Sequence, residues 1–288
     1  MVVHALICPG CRCDASRDAG EWFARARLLR CERCGTEWAD PQPSDERLSE
    51  IYDAEYYEPW TYENPTELDS MKRRSFAPIL RACRAAPGSS LLDVGCATGS
   101  FVGLAADQGL RAFGIDINAH AIATARERVP DADLRVGQLA DEPFGGQTFD
   151  SIVMVDFLEH VREPESELLR ARQLLNRGGR LVVSTPCVDS LARRALGRRW
   201  PQYREEHLTF FSREGLRRLL ARAALEPIDD HRTRKAITLA YAYGQSRAYP
   251  IPVISALTGL TYKALPLLRH RAVRIPFGEI TVVAEAAG

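Results

Sequence analysis

The stretch LLDVGCATGSF, residues 91–101, constrains the fold more than any other part of this 288-residue chain. An apolar run that ends in an aspartate and a glycine turn, and then becomes helical, is typical of a sheet that binds a ligand at its strand ends. Strand-like runs follow it, with helical stretches between most of them: RAFGID, DLRVG, FDSIVMVD and GRLVVST. This alternation predicts a doubly wound, Rossmann-like α/β sheet that is covered on both faces.

The glycine turn is the candidate cofactor site. Gly95 and Gly99 frame it, and Asp116 ends the next strand 21 residues beyond Gly95, where a carboxylate can accept hydrogen bonds from ribose hydroxyls. A dinucleotide would need a glycine in place of Ala97, and Asp93 would repel a phosphate but suits a cationic ligand. These residues predict an adenosine-bearing cofactor, and the alternative is a tight turn without a ligand.

Two C-x-x-C pairs near the N-terminus predict a structural zinc site. Nineteen residues separate the pairs, which is within the spacing expected of four ligands to one ion. The intervening EWFARARLLR has the content of a hairpin strand, so a zinc ribbon is predicted over residues 1–42. The alternatives are a redox-active pair and a ligand set that includes Cys13. The predicted zinc ligands are Cys8, Cys11, Cys31 and Cys34.

Prolines and charge divide the rest of the chain. A linker with N-terminal helices is predicted over residues 43–88 and the sheet domain over residues 89–288. Residues 231–278 form a predicted basic helical insertion before the last strand, because no acidic residue lies between Asp230 and Glu279 while eight lysines and arginines do. The insertion is predicted to be a lid, a face on anionic lipid or a solvated cap. Its apolar stripe at helical spacing comprises Val253, Leu257, Leu260, Ala264 and Leu268, interrupted by Gly259 and Pro266.

The motifs LLDVGCATGSF, GIDIN and FDSIVMVDFLEHV together resemble class I S-adenosylmethionine-dependent methyltransferases, over roughly residues 70–288. The resemblance implies that the glycine turn lines the methionine part of S-adenosylmethionine, that Asp116 holds the ribose and that Ile117 touches the adenine. Many members of this family carry an aspartate after the third strand for the adenine amino group, and here that contact passes to Gln138 or Leu139. The implied cofactor residues are Asp93, Gly95, Cys96, Gly99, Asp116, Ile117, Gln138, Leu139, Asp156 and Phe157.

The N-terminal part, RCERCGTEWADPQPSDERLSEIYDAEYYE, resembles the front end of zinc-ribbon methyltransferases of bacterial sugar, surface-glycan and antibiotic pathways. That resemblance implies that Tyr56 and Tyr57 lie close to the cofactor, and the alternative is aromatic packing. YREEHLTFF, residues 203–211, resembles the Tyr-x-Glu-His-Leu element of zinc-ribbon deoxysugar C-methyltransferases, which implies that Glu206 and His207 act on the acceptor. Those enzymes carry a further large sugar-binding domain, whereas about 80 residues follow His207 here.

His207 is also a candidate base by its position. It lies in the loop between the fifth strand and a helix opened by Ser212, at the edge where strands end. A methyl transfer from a sulfonium mainly requires that the acceptor be positioned and lose a proton, which an imidazole can accept near neutral pH, with Glu205 or Glu206 to orient it. His160 is the second candidate. The alternatives are that His207 caps a helix or packs under its loop, and that His160 orients the backbone around the cofactor.

These features predict an enzyme that methylates an oxygen or carbon atom of a small, anionic acceptor such as a sugar, a lipid-linked glycan precursor or a natural-product intermediate. The anionic character is predicted from Arg193, Arg194, Arg198 and Arg199 on the acceptor loop. The alternatives are an RNA methyltransferase, disfavoured by the acidic residues of the ribbon, and a non-catalytic module that binds S-adenosylmethionine. The chain start lacks a signal pattern and no run reaches the ~20 apolar residues of a membrane span. A cytoplasmic location is therefore expected, with peripheral contact at the inner face of the membrane as the alternative.

Overall fold

A computed structural model describes residues 7–23, 26–52, 64–248 and 252–286. The strands are β1 (Ser16–Glu21), β2 (Arg27–Cys31), β3 (Glu37–Asp40), β4 (Ser90–Val94), β5 (Arg111–Asp116), β6 (Asp133–Val136), β7 (Phe149–Val155), β8 (Leu175–Pro186), β9 (Thr209–Phe210), β10 (Leu225–Arg232), β11 (Lys235–Ile237), β12 (Val273–Ile275) and β13 (Glu279–Ala286). The α-helices are α1 (Asp45–Ile51), α2 (Pro65–Ala82), α3 (Ser100–Asp107), α4 (Ala119–Arg128), α5 (Pro164–Leu174), α6 (Leu191–Leu196), α7 (Arg213–Arg222), α8 (Leu239–Ala248) and α9 (Pro252–Ala264).

The central sheet has seven strands in the order β6-β5-β4-β7-β8-β13-β10. The five strands from β4 to β8 are parallel, while β13 runs antiparallel to β8 and β10 antiparallel to β13. The predicted doubly wound sheet is therefore confirmed. Its parallel strands are apolar because helices cover both of their faces.

Two hydrophobic clusters pack on the opposite faces of this sheet. Leu91 and Leu92 are neighbours in β4 but belong to different clusters, because successive side chains of a strand point to opposite faces. Burial of each such leucine contributes about 1.5–3 kcal/mol relative to an exposed position. The helices that cover the sheet begin at defined caps, since the side chain of Asn118 accepts from Ala121 N at the start of α4 and Ser212 accepts from Gly215 N at the start of α7. The rigid sheet and these capped helices fix the strand ends at which ligands bind.

A second sheet contains the predicted hairpin region and a strand from elsewhere in the chain. Its order is β1-β2-β3-β9, and β9 belongs to the loop that follows β8. Glu37 pairs with Phe210 and Trp38 with Thr209, and Ala39 N donates to Leu208 O at 3.0 Å. The N-terminal segment is thus hydrogen-bonded directly to the loop that carries His207.

The insertion before the last strand contains both helices and strands. Strands β11 and β12 pair antiparallel at its base, and α8 and α9 lie between them. Helix α9 ends at Ala264 ahead of a short 3₁₀ turn whose first residue is Pro266, because proline cannot continue the hydrogen-bonding pattern of the helix. None of the described helices has both the length and the apolar content to cross a bilayer.

Candidate active site

The turn after β4 needs glycine at both of its ends. Gly95 and Gly99 have φ values of 77° and 75°, which L side chains rarely adopt. A Cβ on Gly95 would lie 2.7 Å from the ring of Phe157, and one on Gly99 would lie 2.9 Å from the Cβ of Ala125. The thiol of Cys96 packs in the core, so this residue can border the turn only through its main chain. The turn is therefore a close-packed backbone surface beneath Phe157.

Two buried aspartates flank this turn. Asp116 accepts hydrogen bonds from Ala97 N and Asn118 N, each at 2.9 Å, so both of its oxygens are held by the backbone. Each oxygen keeps a lone pair that can accept from a ribose hydroxyl. Burial raises the pKa of Asp116, and burial together with the charge of Asp116 raises the pKa of Asp93 to about 8. A cationic ligand near Asp93 would favour its charged form.

The predicted adenine contacts lie at the ends of β5 and β6. Ile117 is exposed directly after β5, whereas Leu139 is buried in a short 3₁₀ turn. The main-chain N–H of Gln138 donates to Asp141 Oδ2 at 2.8 Å. The carboxylate of Asp141, which follows β6, therefore caps this turn. Tyr56 and Tyr57 lie outside the described residues.

The segment after β7 connects the glycine turn to the candidate bases. Asp156 has a left-handed φ of 51°, Phe157 lies on Gly95, and a short turn then carries Glu159 and His160. Leu208 N donates to Glu159 O at 2.8 Å, which holds the His207 loop against this turn. The ends of two different loops therefore meet beside the glycine turn.

The two candidate histidines are in contact. Their ring centroids are 4.6 Å apart and the rings are nearly perpendicular. His207 Nδ1 lies 2.7 Å from Gln202 O, and because a carbonyl only accepts, Nδ1 carries the proton and Nε2 keeps its lone pair. His160 Nδ1 lies 2.6 Å from the Tyr52 hydroxyl and 3.2 Å from Glu206 O. Sequence reasoning missed Tyr52 and Gln202, whose positions depend on the folded loops.

Both imidazoles are neutral near pH 7. Burial lowers the pKa of His160 to about 4. Burial and the neighbouring His160 also lower the pKa of His207 far below its ordinary value. Each ring can therefore accept a proton, but the buried imidazolium that results is unfavourable.

Glu159 joins this pair and was not predicted from the sequence. Its side chain is fully buried, Oε2 accepts from Thr185 Oγ1 at 2.9 Å, and Oε1 has no hydrogen-bond partner within the described residues. Burial raises the pKa of Glu159 well above its usual range. Glu159, His160 and His207 each place one ligand atom within 4.8 Å of the others, so together they could share a proton or hold a divalent cation.

The two glutamates of the YREEHLTFF motif are paired with arginines. Glu205 accepts from Arg47 of α1 at 2.8 Å, and Glu206 pairs with Arg204 at 3.1 Å. The group that orients His207 is instead the main-chain carbonyl of Gln202. Glu206 contacts the histidine pair through its main-chain carbonyl, which lies 3.2 Å from His160 Nδ1.

A charged network runs from Asp156 to the His207 loop. Lys235 Nζ lies 3.1 Å from Asp156 Oδ2 and 2.6 Å from Glu279 Oε1, and Gln202 Nε2 donates to that same Glu279 oxygen at 2.8 Å. Burial alone would lower the pKa of Lys235, but the charges of Asp156 and Glu279 raise it. The insertion thus contributes the cation of Lys235 at the edge of the site, where it is paired with the carboxylates of Asp156 and Glu279.

Four cysteines form a candidate metal centre in the second sheet. Cys8 Sγ lies 3.6 Å from Cys34 Sγ and Cys11 Sγ lies 3.5 Å from Cys31 Sγ, with all four sulfurs within 4.8 Å of one another. A tetrahedral ion with Zn–S bonds of about 2.3 Å separates its sulfurs by about 3.8 Å, so the donor set fits zinc. The hydrogen bond from Cys8 lowers the pKa of Cys34. Cys13 is only half-buried and its thiol is near Ala15 O, outside this set.

The candidate metal centre packs on the N-terminus of α7. Ser212 Oγ donates to Cys34 O at 2.6 Å and accepts from Gly215 N at 2.9 Å, so one hydroxyl serves both the ribbon and the helix. Arg222 of the same helix donates to Gly10 O at 2.7 Å, in the first C-x-x-C loop. The two loops that carry the cysteines are therefore fixed to the sheet domain by hydrogen bonds.

Two of the four arginines that were predicted to face the acceptor contact the ribbon instead. Arg193 donates to Glu37 at 2.8 Å and to the Tyr203 hydroxyl at 3.0 Å, and Arg198 donates to Ala19 O at 3.1 Å. Their charge is used in attaching the ribbon, so it contributes less to an acceptor site than the sequence predicted.

Comparison with known proteins places this geometry in a family. Residues 68–229, more than half of the chain, match the family model described as a methyltransferase domain. The chain therefore belongs to the methyltransferase-domain family, as the glycine turn and the motif at the end of β7 predicted.

Individual relatives agree with this assignment. Over 218 residues the chain is 27% identical to a ubiquinone biosynthesis O-methyltransferase of Cereibacter sphaeroides, covering 71% of this chain and 83% of that protein. Over 106 residues it is 31% identical to the demethylmenaquinone methyltransferase of Renibacterium salmoninarum, covering 37% of this chain and 45% of the relative. A geranyl diphosphate C-methyltransferase from Streptomyces coelicolor shares the fold with a TM-score of 0.54 at 17% identity, covering 85% of this chain and 89% of that one. The chain spans less than half the length of several curated relatives that it matches.

Proposed function

We propose that the protein transfers a methyl group from S-adenosylmethionine to an oxygen or carbon atom of a small-molecule acceptor. The observation that carries the proposal is the arrangement of residues 156–160. Phe157 lies on Gly95 of the cofactor turn, and three residues later His160 packs against His207. A methyl donor at the turn and an acceptor beside the histidines would then be held by one short segment, which suits a direct transfer.

The residues of the turn have separate roles in binding. S-adenosylmethionine, when bound, supplies an already activated methyl group. The carboxyl of Asp93 favours the cationic methionine part, and Asp116, oriented by two backbone N–H groups, accepts from ribose hydroxyls. Phe157 covers the turn and excludes water from it, and Ile117 offers apolar surface to the adenine.

The histidine pair removes the acceptor proton. Nε2 of His207 is the free nitrogen of a neutral ring whose tautomer is fixed by Gln202 O. Because burial makes this imidazole a weak base, an acceptor with an acidic hydroxyl, such as a phenol or an enol, is favoured over an ordinary sugar hydroxyl. The relatives with O-methyltransferase names support an oxygen acceptor and the C-methyltransferase fold relative leaves a carbon acceptor open.

An anionic sugar or glycan acceptor has less support. That prediction depended on four arginines, and Arg193 and Arg198 are engaged with the ribbon. Lys235 lies at the site, but Asp156 and Glu279 compensate its charge. We therefore define the acceptor by its acidic proton rather than by a negative charge.

The ribbon and the insertion complete the proposal. A zinc ion held by Cys8, Cys11, Cys31 and Cys34 would be structural, since all four positions of the tetrahedron are taken by protein ligands. Lys235, in the first strand of the insertion, reaches Asp156 beside the cofactor turn. This contact supports the prediction that the insertion, residues 231–278, covers the acceptor, and it indicates that the part near Lys235 does so.

The proposal is tested by incubating the protein with methyl-labelled S-adenosylmethionine and a cell extract, and then separating polar metabolites, lipids and RNA. Label in a polar or lipid product is expected. Label in RNA would contradict the small-molecule acceptor, and cofactor binding without any labelled product would contradict catalysis.

A matched pair of glycine variants tests the cofactor site itself. Gly95→Ala is expected to abolish binding of S-adenosylmethionine, because the new Cβ displaces Phe157. Gly178→Ala imposes the same backbone strain, with a φ of 75°, but its Cβ would meet open space. Calorimetric titration should find binding lost in the first variant and retained in the second, and equal loss in both would refute the site.

A further inference from the structure

Helix α9 turns its polar and aromatic positions toward the protein. Ser255 Oγ donates to Ser246 O of α8 at 2.9 Å, and the rings of Tyr262 and Tyr243 are stacked with centroids 4.4 Å apart. Gly259 lies between these contacts, where a Cβ would be 3.7 Å from the Tyr243 ring. These positions recur every three or four residues, so they define the inner face of the helix.

The opposite face of α9 is apolar and faces solvent. Leu257 and Leu260 are 58% and 66% exposed, and Ala264 shares their side of the helix. The turn that follows extends this surface with Leu265 and with Leu267, which is 96% exposed. We call these five residues the α9 outer face. Isolated exposed leucines are common, but several of them grouped on one helix face and the adjoining turn indicate an interaction site.

The insertion that carries the α9 outer face contains lysines and arginines but no acidic residue of its own, and the carboxylate of Glu67 in α2 contacts it at His270. No acidic residue occurs between Asp230 and Glu279. Lys263 lies on the flank of α9 and Arg271 follows the leucine turn, and both are exposed. An apolar surface bordered by cations complements the boundary between acyl chains and negatively charged headgroups.

We propose that the α9 outer face docks on an anionic lipid bilayer, with its leucines in the headgroup boundary and Lys263 and Arg271 against the phosphates. Two copies of this surface face to face would bring like charges together, whereas anionic headgroups neutralise them. The contact is peripheral, since none of the described helices can span a bilayer. The proposal does not depend on the methyl transfer proposed above.

The test is co-sedimentation of the full chain with vesicles of phosphatidylcholine, alone or with about one third phosphatidylglycerol. Binding is expected only to the anionic vesicles and should weaken as salt is added. Each cation near an anionic surface is worth a factor of about 5 in partitioning, so Lys263→Gln with Arg271→Gln should weaken binding about 25-fold. Leu257→Gln with Leu260→Gln should weaken it at least about tenfold, because buried apolar area drives insertion.

Two control variants isolate the surface. Leu191→Gln removes a leucine of α6 that is equally exposed, at 58%, and Arg177→Gln removes an exposed arginine outside the insertion. Both should bind vesicles as the parent chain does, and all variants should keep the parent circular dichroism. Absence of sedimentation, equal binding to neutral vesicles, or equal loss in the controls would overturn the proposal. So would a dimer in analytical ultracentrifugation that the leucine variant dissolves while vesicle binding is absent.

Discussion

The substitution His207→Asn distinguishes a catalytic base from a residue that only supports its loop. An asparagine amide nitrogen can occupy the place of Nδ1 and keep donating to Gln202 O, which the imidazole contacts at 2.7 Å. The same change removes Nε2, the only ring nitrogen with a free lone pair in this tautomer. If His207 is the base, the rate should therefore fall while the fold persists.

The structure sets the magnitude of each effect. Loss of a general base costs about 10²- to 10⁴-fold in kcat, or about 3–5 kcal/mol of transition-state stabilisation. His207→Asn should cost about 1 kcal/mol or less in the free energy of unfolding, because the hydrogen bond survives. His207→Ala removes that bond and leaves a cavity under the loop, at a cost of about 2–4 kcal/mol. Neither variant should change binding of S-adenosylmethionine, since the histidine lies beyond Phe157.

The assay combines initial rates of S-adenosylhomocysteine formation, calorimetric titration of the cofactor and urea denaturation. The expected pattern is a large loss of kcat in both variants with a loss of stability only in His207→Ala. If His207→Asn keeps its rate within about threefold, the imidazole is not the base, because a loss smaller than about tenfold is below the range of general-base catalysis. His160→Asn, measured in parallel, shows which ring carries the larger effect.

Three further predictions concern the metal, the ribbon and pH. Cys31→Ser should remove zinc, measured by elemental analysis, and should increase amide hydrogen exchange across residues 203–212, because the ribbon pairs with β9; unchanged zinc content and exchange would contradict this. Ser212→Ala should cost about 2–4 kcal/mol in urea denaturation, since it removes a helix cap and a bond to Cys34 O. Ser190→Ala, which removes only the cap of α6, should cost about 1 kcal/mol, and equal costs would refute the double role. Because Asp93 has a pKa of about 8, it is protonated at pH 7 without ligand. Binding of cationic S-adenosylmethionine favours its anion, so affinity should rise between pH 6 and 8, by at most about tenfold per unit. Calorimetry in two buffers should detect the released proton, and Asp93→Asn should abolish the pH dependence.

The sequence predicted the central sheet because its signals are local. The apolar run before Gly95, the glycines of the turn and Asp116 at the next strand end all follow from short-range patterns. Strand β9 has only two residues, and nothing in its composition predicts that Thr209 pairs with Trp38 about 170 residues earlier. Pairings between distant segments depend on the assembled fold and leave no periodicity in the sequence.

The same reason explains what was missed in the candidate site. His160 and His207 lie within the motifs and were predicted as candidate bases. Glu159 lies in the same motif as His160, but its burial depends on β8 and on the returning loop, so the sequence did not single it out. Lys235 was counted among the cations of the insertion, and only the folded chain brings it to Asp156. Charge patterns in a sequence do not show which charges are paired.

The ribbon contacts the loop of His207 at two points that follow that residue in the chain. Ala39 N donates to Leu208 O directly after the histidine, and Ser212, just beyond β9, donates to the carbonyl of Cys34. A loop held at two nearby points loses conformational freedom before the acceptor arrives, so less entropy is lost on binding. The proposed zinc ion would not contact the glycine turn. It would bind the thiolate of Cys34, and the carbonyl of the same residue is hydrogen-bonded to this loop. We therefore expect loss of the metal to lower kcat through disorder of the His207 loop while the affinity for S-adenosylmethionine, which depends on the turn after β4, stays the same.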